Sequence, residues 1–266
     1  MKLINGIINQ FFLAGTILLL LFTVLSGSSK HFPLNRFYWI RANTSGIQGA
    51  PQEGAWTFWG VCEYDDFSQC QSGPAYPISP RDNFDTSQGV PQDFITNRST
   101  YYYLSRFSFA FTLIALGLSS VSFLLGFVMV THKTIVFTIT LALIFVAATA
   151  AFQTAVVVLA RNAFNDDNLN AHIGLKSMAI LWASVVTLLI VWANTFSAKI
   201  VASYRKHLAN VNGTRDHEVP TSAGPAGDES SFTRSAPAAE TKEDNGGGIR
   251  FFKIKRNHKT SDEESV

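Results

Sequence analysis

The chain alternates between long apolar stretches and polar ones on a scale that neither a soluble helix nor a strand requires. Residues 107–130 and 135–160 contain no charged side chain, and residues 178–200 contain none until Lys199 near the far end. A helix needs about 20 mostly apolar residues to cross a hydrocarbon core about 30 Å thick, rising about 1.5 Å per residue. All three stretches therefore predict membrane-spanning helices, with Lys199 placed where a long side chain can snorkel to the interface. A fourth apolar run, residues 11–25, is short and ends in Leu25-Ser26-Gly27-Ser28-Ser29, the small-residue pattern of a signal-peptidase site. Including Ile7 and Ile8 extends it to about 20 residues, though it then takes in Asn9 and Gln10. Its flank carries only Lys2, poor for a signal peptide. The pattern thus predicts four spans, with the first retained.

Thr131-His132-Lys133-Thr134 and residues 161–177 are short connections, so the last three helices should be antiparallel neighbours in a bundle. The expected organisation is an N-terminus and first helix over 1–26, a loop domain over 27–106, three helices over 107–202 and a tail over 203–266. Lys199, Arg205, Lys206 and Arg215 cluster after the last helix and Lys133 lies in the second connection, whereas the third holds only Arg161 and Lys176. Counting these positive charges predicts that both termini are cytosolic. The basic residues of 27–106 are discounted, because that loop exceeds the roughly 60-residue length within which the rule operates.

Composition agrees with a membrane protein. Hydrophobic residues make up 47% of the 266 and charged residues 15%, against about 25% charged in a soluble domain; the mean hydropathy is +0.15. A net charge of +2 is too small for a nucleic-acid footprint. Two cysteines are too few for a structural zinc site. The spans lack internal ionisable groups and histidines, leaving no proton relay, carboxylate pair or metal cluster and no cofactor site. Enzymatic chemistry is not expected. Gln153 and Asn194 are read as hydrogen-bonding partners between helices. Ser122 with Gly126 and Ala147 with Ala151 place small residues one turn apart, which suits close helix packing, including packing against a second copy. Asp166 and Asp167 read as a solvated helix cap.

Residues 27–106 are too aromatic for a mere connector. Phe37-Tyr38-Trp39-Ile40 and Trp56-Thr57-Phe58-Trp59 predict short strands of a small sheet. Cys62 and Cys70 read as the clamp of a hairpin, stabilising by about 2–3 kcal/mol in an oxidising compartment; the alternative is two free thiols. Residues 73–91 are rich in proline and glycine and should be irregular but stiff. Pro91-Gln92-Asp93-Phe94 resembles a helix start with proline at its first position. Tyr101-Tyr102-Tyr103 is expected at the mouth of the second helix as an interfacial anchor. The sequons at Asn43 and Asn97 fall in this loop as glycosylation candidates, with a third at Asn212 in the tail read as a chance match.

The strings His31-Phe32-Pro33-Leu34-Asn35-Arg36-Phe37-Tyr38-Trp39, Trp56-Thr57-Phe58-Trp59-Gly60-Val61-Cys62 and Gly73-Pro74-Ala75-Tyr76-Pro77-Ile78-Ser79-Pro80 resemble the fungal SUR/PalI family of four-span plasma-membrane proteins, in particular its eisosome-associated branch. Val90-Pro91-Gln92-Asp93-Phe94, Tyr101-Tyr102-Tyr103-Leu104-Ser105-Arg106-Phe107 and Ala160-Arg161-Asn162-Ala163-Phe164-Asn165-Asp166-Asp167 continue the likeness. It covers roughly residues 1–205 and returns at Gly248-Ile249-Arg250-Phe251-Phe252. The resemblance implies a structural organiser of a furrow-like plasma-membrane compartment, contributing to endocytosis, sphingolipid balance and cell-wall integrity. The partners it implies are the lipids of a sphingolipid-rich domain and other eisosome proteins. A role assisting an ambient-pH sensor, as in PalI, is the alternative within the family; a small channel or transporter is the alternative outside it. Trp59-x-x-Cys62…Cys70 also looks distantly like the claudin signature. The expected fold class is all-α membrane: a four-transmembrane-helix bundle with a small, disulfide-bonded, partly β extracellular domain and a disordered C-terminal tail.

Pro, Gly, Ala, Ser, Thr and Glu dominate residues 211–248, leaving few apolar side chains to offset the entropy of ordering. In Arg250-Phe251-Phe252-Lys253-Ile254-Lys255-Arg256 basic and apolar residues alternate. On an anionic inner leaflet each base contributes about 1 kcal/mol, and the two phenylalanines favour lipid over simple solvation. Ser261-Asp262-Glu263-Glu264 places Ser261 in an acidic phosphoacceptor context.

Overall fold

The computed structural model describes residues 2–67, 69–128 and 132–215. Among the described residues six α-helices and five strands follow one another: α1 (Lys2–Val24), β1 (Ile40–Asn43), β2 (Glu53–Trp56), β3 (Gly60–Glu63), β4 (Cys70–Ser72), α2 (Pro80–Phe84), α3 (Gln92–Thr96), α4 (Arg98–Leu125), α5 (His132–Asp166), β5 (Ala171–Ile173) and α6 (Leu175–Arg215). Four of the helices are long and apolar enough to cross a membrane, over Ile4–Val24, Arg98–Leu125, Lys133–Asp166 and Leu175–Ser197. The chain is thus a four-helix, multi-pass membrane protein.

The four helices form a ring in which α1 packs on α4 and α6, and α5 on α4 and α6. Leu13, Leu20, Ala115, Ile139, Ala142, Val146, Leu188 and Val191 fill its centre. A bilayer provides no hydrophobic drive between helices, so small residues and interhelical hydrogen bonds carry much of the association. Every seam has at least one such bond. Asn9 Nδ2 donates to Thr195 Oγ1 (3.2 Å) and Thr16 Oγ1 to Thr187 Oγ1 (2.9 Å) between α1 and α6. Gln10 Nε2 donates to the Phe123 carbonyl (3.1 Å) between α1 and α4, and Ser122 Oγ to Thr138 Oγ1 (2.9 Å) between α4 and α5. Trp192 Nε1 reaches Thr140 Oγ1 (3.0 Å) and Trp182 Nε1 reaches Thr154 Oγ1 (3.2 Å) between α6 and α5. Asn9 and Gln10, polar intrusions in the first apolar run, thus join Thr16 in tying α1 to its neighbours.

The two side chains expected to bridge helices do not. Gln153 is fully buried, yet neither its amide nitrogen nor its oxygen has a partner among the described residues. Asn194 is exposed on α6. Of the small-residue pairs, Ser122 and Gly126 lie at an interface: a Cβ on Gly126 would meet Gln10 Nε2 at 1.9 Å. Ala147 and Ala151 instead face outward.

One antiparallel sheet, in the order β4-β3-β2-β1-β5, sits at the end of the bundle where α1 finishes and α6 starts. Its strands are offset from the aromatic runs expected to form them. β1 starts only at Ile40, and Thr57-Phe58-Trp59 makes the tight connection between β2 and β3, with Thr57 N donating to the Gly60 carbonyl at 2.8 Å. The fifth strand comes from the short connection between α5 and α6 and pairs with β1 through Ile40↔Ile173 and Ala42↔Ala171. The stiff segment 73–91 contains the short helix α2, and Pro91 occupies the N-cap of α3 rather than its first turn. At the other end α6 stays helical to Arg215, well past residue 203, where the tail was expected to begin.

Candidate functional site

The region with the densest specific structure is the sheet and its junction with the helices. Its aromatic residues are driven inside: Trp39, Trp56, Phe58, Phe94, Tyr101 and Phe164 are all at most 1% exposed. The β2–β3 turn is pressed onto α4, with the Phe58 and Trp59 rings 5.4 and 5.6 Å from that of Phe109. Trp56 reaches α5, its ring 5.6 Å from Phe164 and its Nε1 donating to Asn83 Oδ1 at 2.7 Å. Sheet and bundle therefore share one core, which runs from Trp39 through Phe109 to Val157 and Leu181.

Cys62 and Cys70 are bonded to each other. They are directly cross-strand partners in β3 and β4, so the bridge fastens a strand that would otherwise hang on three residue pairs at the edge of the sheet. Tyr101 departs from the expected role. It is buried, its ring centroid 4.4 Å from Phe94, and its hydroxyl donates to the Asp93 carboxylate. Tyr103, 54% exposed, does face outward, while Tyr102 is half-buried beneath the Arg106 guanidinium at 4.6 Å.

The two candidate glycosylation positions differ. Asn43 ends β1 with its Oδ1 accepting from the Ser45 amide and hydroxyl (3.0 and 2.7 Å). Asn97, at the N-cap of α4, commits its own Nδ2 to Asp93 Oδ1 at 2.7 Å. Arg250, Phe251, Phe252, Lys253, Lys255, Arg256 and Ser261 lie outside the described residues, and Asn212 falls in the last turns of α6.

Several residues that shape this region carry no sequence signal. Gly174 brings β5 against β1 so closely that a Cβ there would meet the Tyr38 carbonyl oxygen at 1.8 Å, and its N–H donates to the Trp39 carbonyl at 2.8 Å. Arg41 pairs with Glu53 at 3.3 Å and lies 4.2 Å over the Tyr64 ring. Burial, and then neighbouring Tyr64, push the Tyr38 hydroxyl above its ordinary range; burial does the same for Tyr76. Among the described residues no group of three or more His, Cys, Asp or Glu side chains converges to hold a metal.

The SUR7/PalI family model matches residues 5–194, which take in the whole sheet and all but the outermost residues of the four spans. The chain belongs to the SUR7/PalI family. It is 58% identical to the protein SUR7 of Candida albicans, over the full length of both chains. It is 38% identical to the protein SUR7 of Saccharomyces cerevisiae, over 96% of this chain and 95% of that one. An uncharacterized plasma membrane protein of S. cerevisiae is 31% identical over 95% of this chain and 88% of its own. The SUR7/PalI match thus includes the hairpin turn, the disulfide and β5, the parts that join sheet to helices.

Proposed function

We propose that the protein is a structural organiser of a plasma-membrane domain, the eisosome-associated furrow, and that through it the protein contributes to endocytosis, sphingolipid balance and cell-wall integrity. The observation that carries this reading is the shared core of sheet and bundle: Phe58 on Phe109 and Trp56 on Phe164 make the head a rigid continuation of the helices. Such a body presents fixed surfaces on both sides of a bilayer. Residues 4–24, 107–125, 135–160 and 178–197 of the four helices carry no charge, and every helix seam is closed by hydrogen bonds, an arrangement suited to a fixed scaffold more than to a gated path. The head is external and both termini are cytosolic in this proposal, supported by the distribution of basic residues. The tail adds a second contact, in which Arg250, Lys253, Lys255 and Arg256 meet the anionic inner leaflet and Phe251 and Phe252 insert. Phosphorylation at Ser261 loosens it by adding negative charge nearby.

Imaging of the fluorescently tagged full chain in a fungal cell tests the proposal. Static cortical patches are expected. A uniform membrane signal would sink the organiser and favour a pH-sensing accessory or a transporter. Neutralising the four tail bases, or Ser261→Glu, should alter patch clustering while surface levels hold, since the four helices still anchor the chain.

A further inference from the structure

A cleft of about 730 Å3 opens where α1 ends and α6 begins. The whole head is close to electrically balanced, but this cleft gathers Lys30, Arg36, Arg41, His172 and Lys176 from two distant parts of the chain. Of these, only Arg41 is in an ion pair among the described residues. Two further features look unfinished. Arg41 Nε is a buried donor, and Asn35 Oδ1 a buried acceptor, with no hydrogen-bond partner among the described residues; both residues line the cleft. Buried polar atoms are nearly always satisfied, so these two, beneath the surface of the cleft wall, mark a polar floor whose own hydrogen bonding is incomplete.

The position narrows the ligand further. Lys176 is the second residue of a span that begins at Leu175, and Lys30 follows shortly after the span ending at Val24, so the cleft lies at the level where the bilayer begins. Its lining has an exposed apolar member beside Lys176: Leu175 is 77% exposed. Bases and an exposed leucine at bilayer height match an amphiphile. A guanidinium beside ammonium groups suits phosphate oxygens. Asp65, at the β3–β4 turn, also lines the cleft, and a carboxylate there can accept from hydroxyl donors of a headgroup.

We propose that this cleft binds the phosphate of a hydroxyl-bearing phospholipid headgroup from the leaflet on the sheet side, with Lys30, Arg36 and Lys176 facing the phosphate and Arg41 and Asn35 completing the polar floor. The site is separate from the tail contact and does not depend on it.

The full chain, purified in neutral detergent, is titrated with short-chain phosphatidylinositol, short-chain phosphatidylcholine or sodium phosphate at matched ionic strength. Retained lipid is read by native mass spectrometry and the unfolding midpoint by a thermal shift. Each titration is repeated on a chain whose four tail bases are neutralised, so that the tail contributes nothing. Phosphatidylinositol should be retained and should raise the midpoint, with phosphatidylcholine far weaker. The exposed-residue variant Lys30→Gln/Arg36→Gln/Lys176→Gln should weaken phosphatidylinositol binding by about ten-fold or more, with its lipid-free midpoint unchanged. Lys176→Glu alone should act in the same direction, and Arg81→Gln, outside the cleft, should have no effect. Equal retention by the triple variant and the parent would overturn the site. Stabilisation by sodium phosphate with no further gain from phosphatidylinositol would overturn the lipid as the source of the phosphate.

Discussion

The indole Nε1 of Trp59 donates to the backbone carbonyl of Val24 at 2.6 Å, joining the turn of a sheet to the last residue of the first membrane helix. Carbonyls at a helix C-terminus lack intrahelical partners and must be satisfied from outside. Trp59→Phe should keep the ring contact with Phe109 and leave that carbonyl unpaired, destabilising the protein by about 1–2 kcal/mol. Thermal unfolding of the purified variant measures it. An unchanged midpoint would mean that water or another donor takes over the bond.

Replacing Cys62 or Cys70 by serine releases β4, whose three residues are all exposed, from its one covalent tie. The expected loss is about 2–3 kcal/mol, enough to hold the chain in the endoplasmic reticulum. Normal surface levels of either variant would show that β4 is dispensable.

Gly174→Ala places a methyl group against the Tyr38 carbonyl, a backbone atom that cannot swing aside. Overpacking of this kind costs about 1–3 kcal/mol. Gly117→Ala is the control, because a Cβ at that helical position meets nothing within 4 Å, and it should stabilise slightly through helix propensity. Similar midpoints for the two variants would contradict the close approach of β5.

Gln153→Met should be neutral or stabilising, because it removes a fully buried amide whose two polar atoms have no partner among the described residues. A loss of more than about 1 kcal/mol in detergent unfolding would reveal a hydrogen bond, to water or to a second copy of the chain, that justifies the glutamine.

The proposed orientation predicts that deglycosylation shifts the mobility of the mature protein, and that Asn43→Gln removes more of the shift than Asn97→Gln. Asn43 has its amide nitrogen free for modification among the described residues, whereas Asn97 Nδ2 is bonded to Asp93. A glycan on Asn212 would invert the topology.

Sequence patterning reveals what depends on local composition. The spans were legible because uncharged runs of that length have no other stable home, and the pairing of Cys62 with Cys70 because the two close a short ring that suits a hairpin. Register was not. Thr57-Phe58-Trp59 has strand composition but forms a turn, since its rings are buried against Phe109 of a helix whose position the local sequence does not encode. Tyr101 has the composition of an interfacial anchor but is drawn inward by Phe94 and Asp93. β5 is only three residues long, and nothing in Ala171-His172-Ile173 distinguishes a strand from a loop until β1 is beside it.

That last strand also sets the order of assembly. β1 is made early, yet the edge it offers stays unpaired until the connection between the final two helices has reached the same side of the membrane. An unpaired edge is a template for wrong pairing with another chain. The head therefore reports on the insertion of the whole bundle: a chain whose last helical pair has failed to insert carries a visible mark of its incompleteness, and one that has inserted correctly hides it.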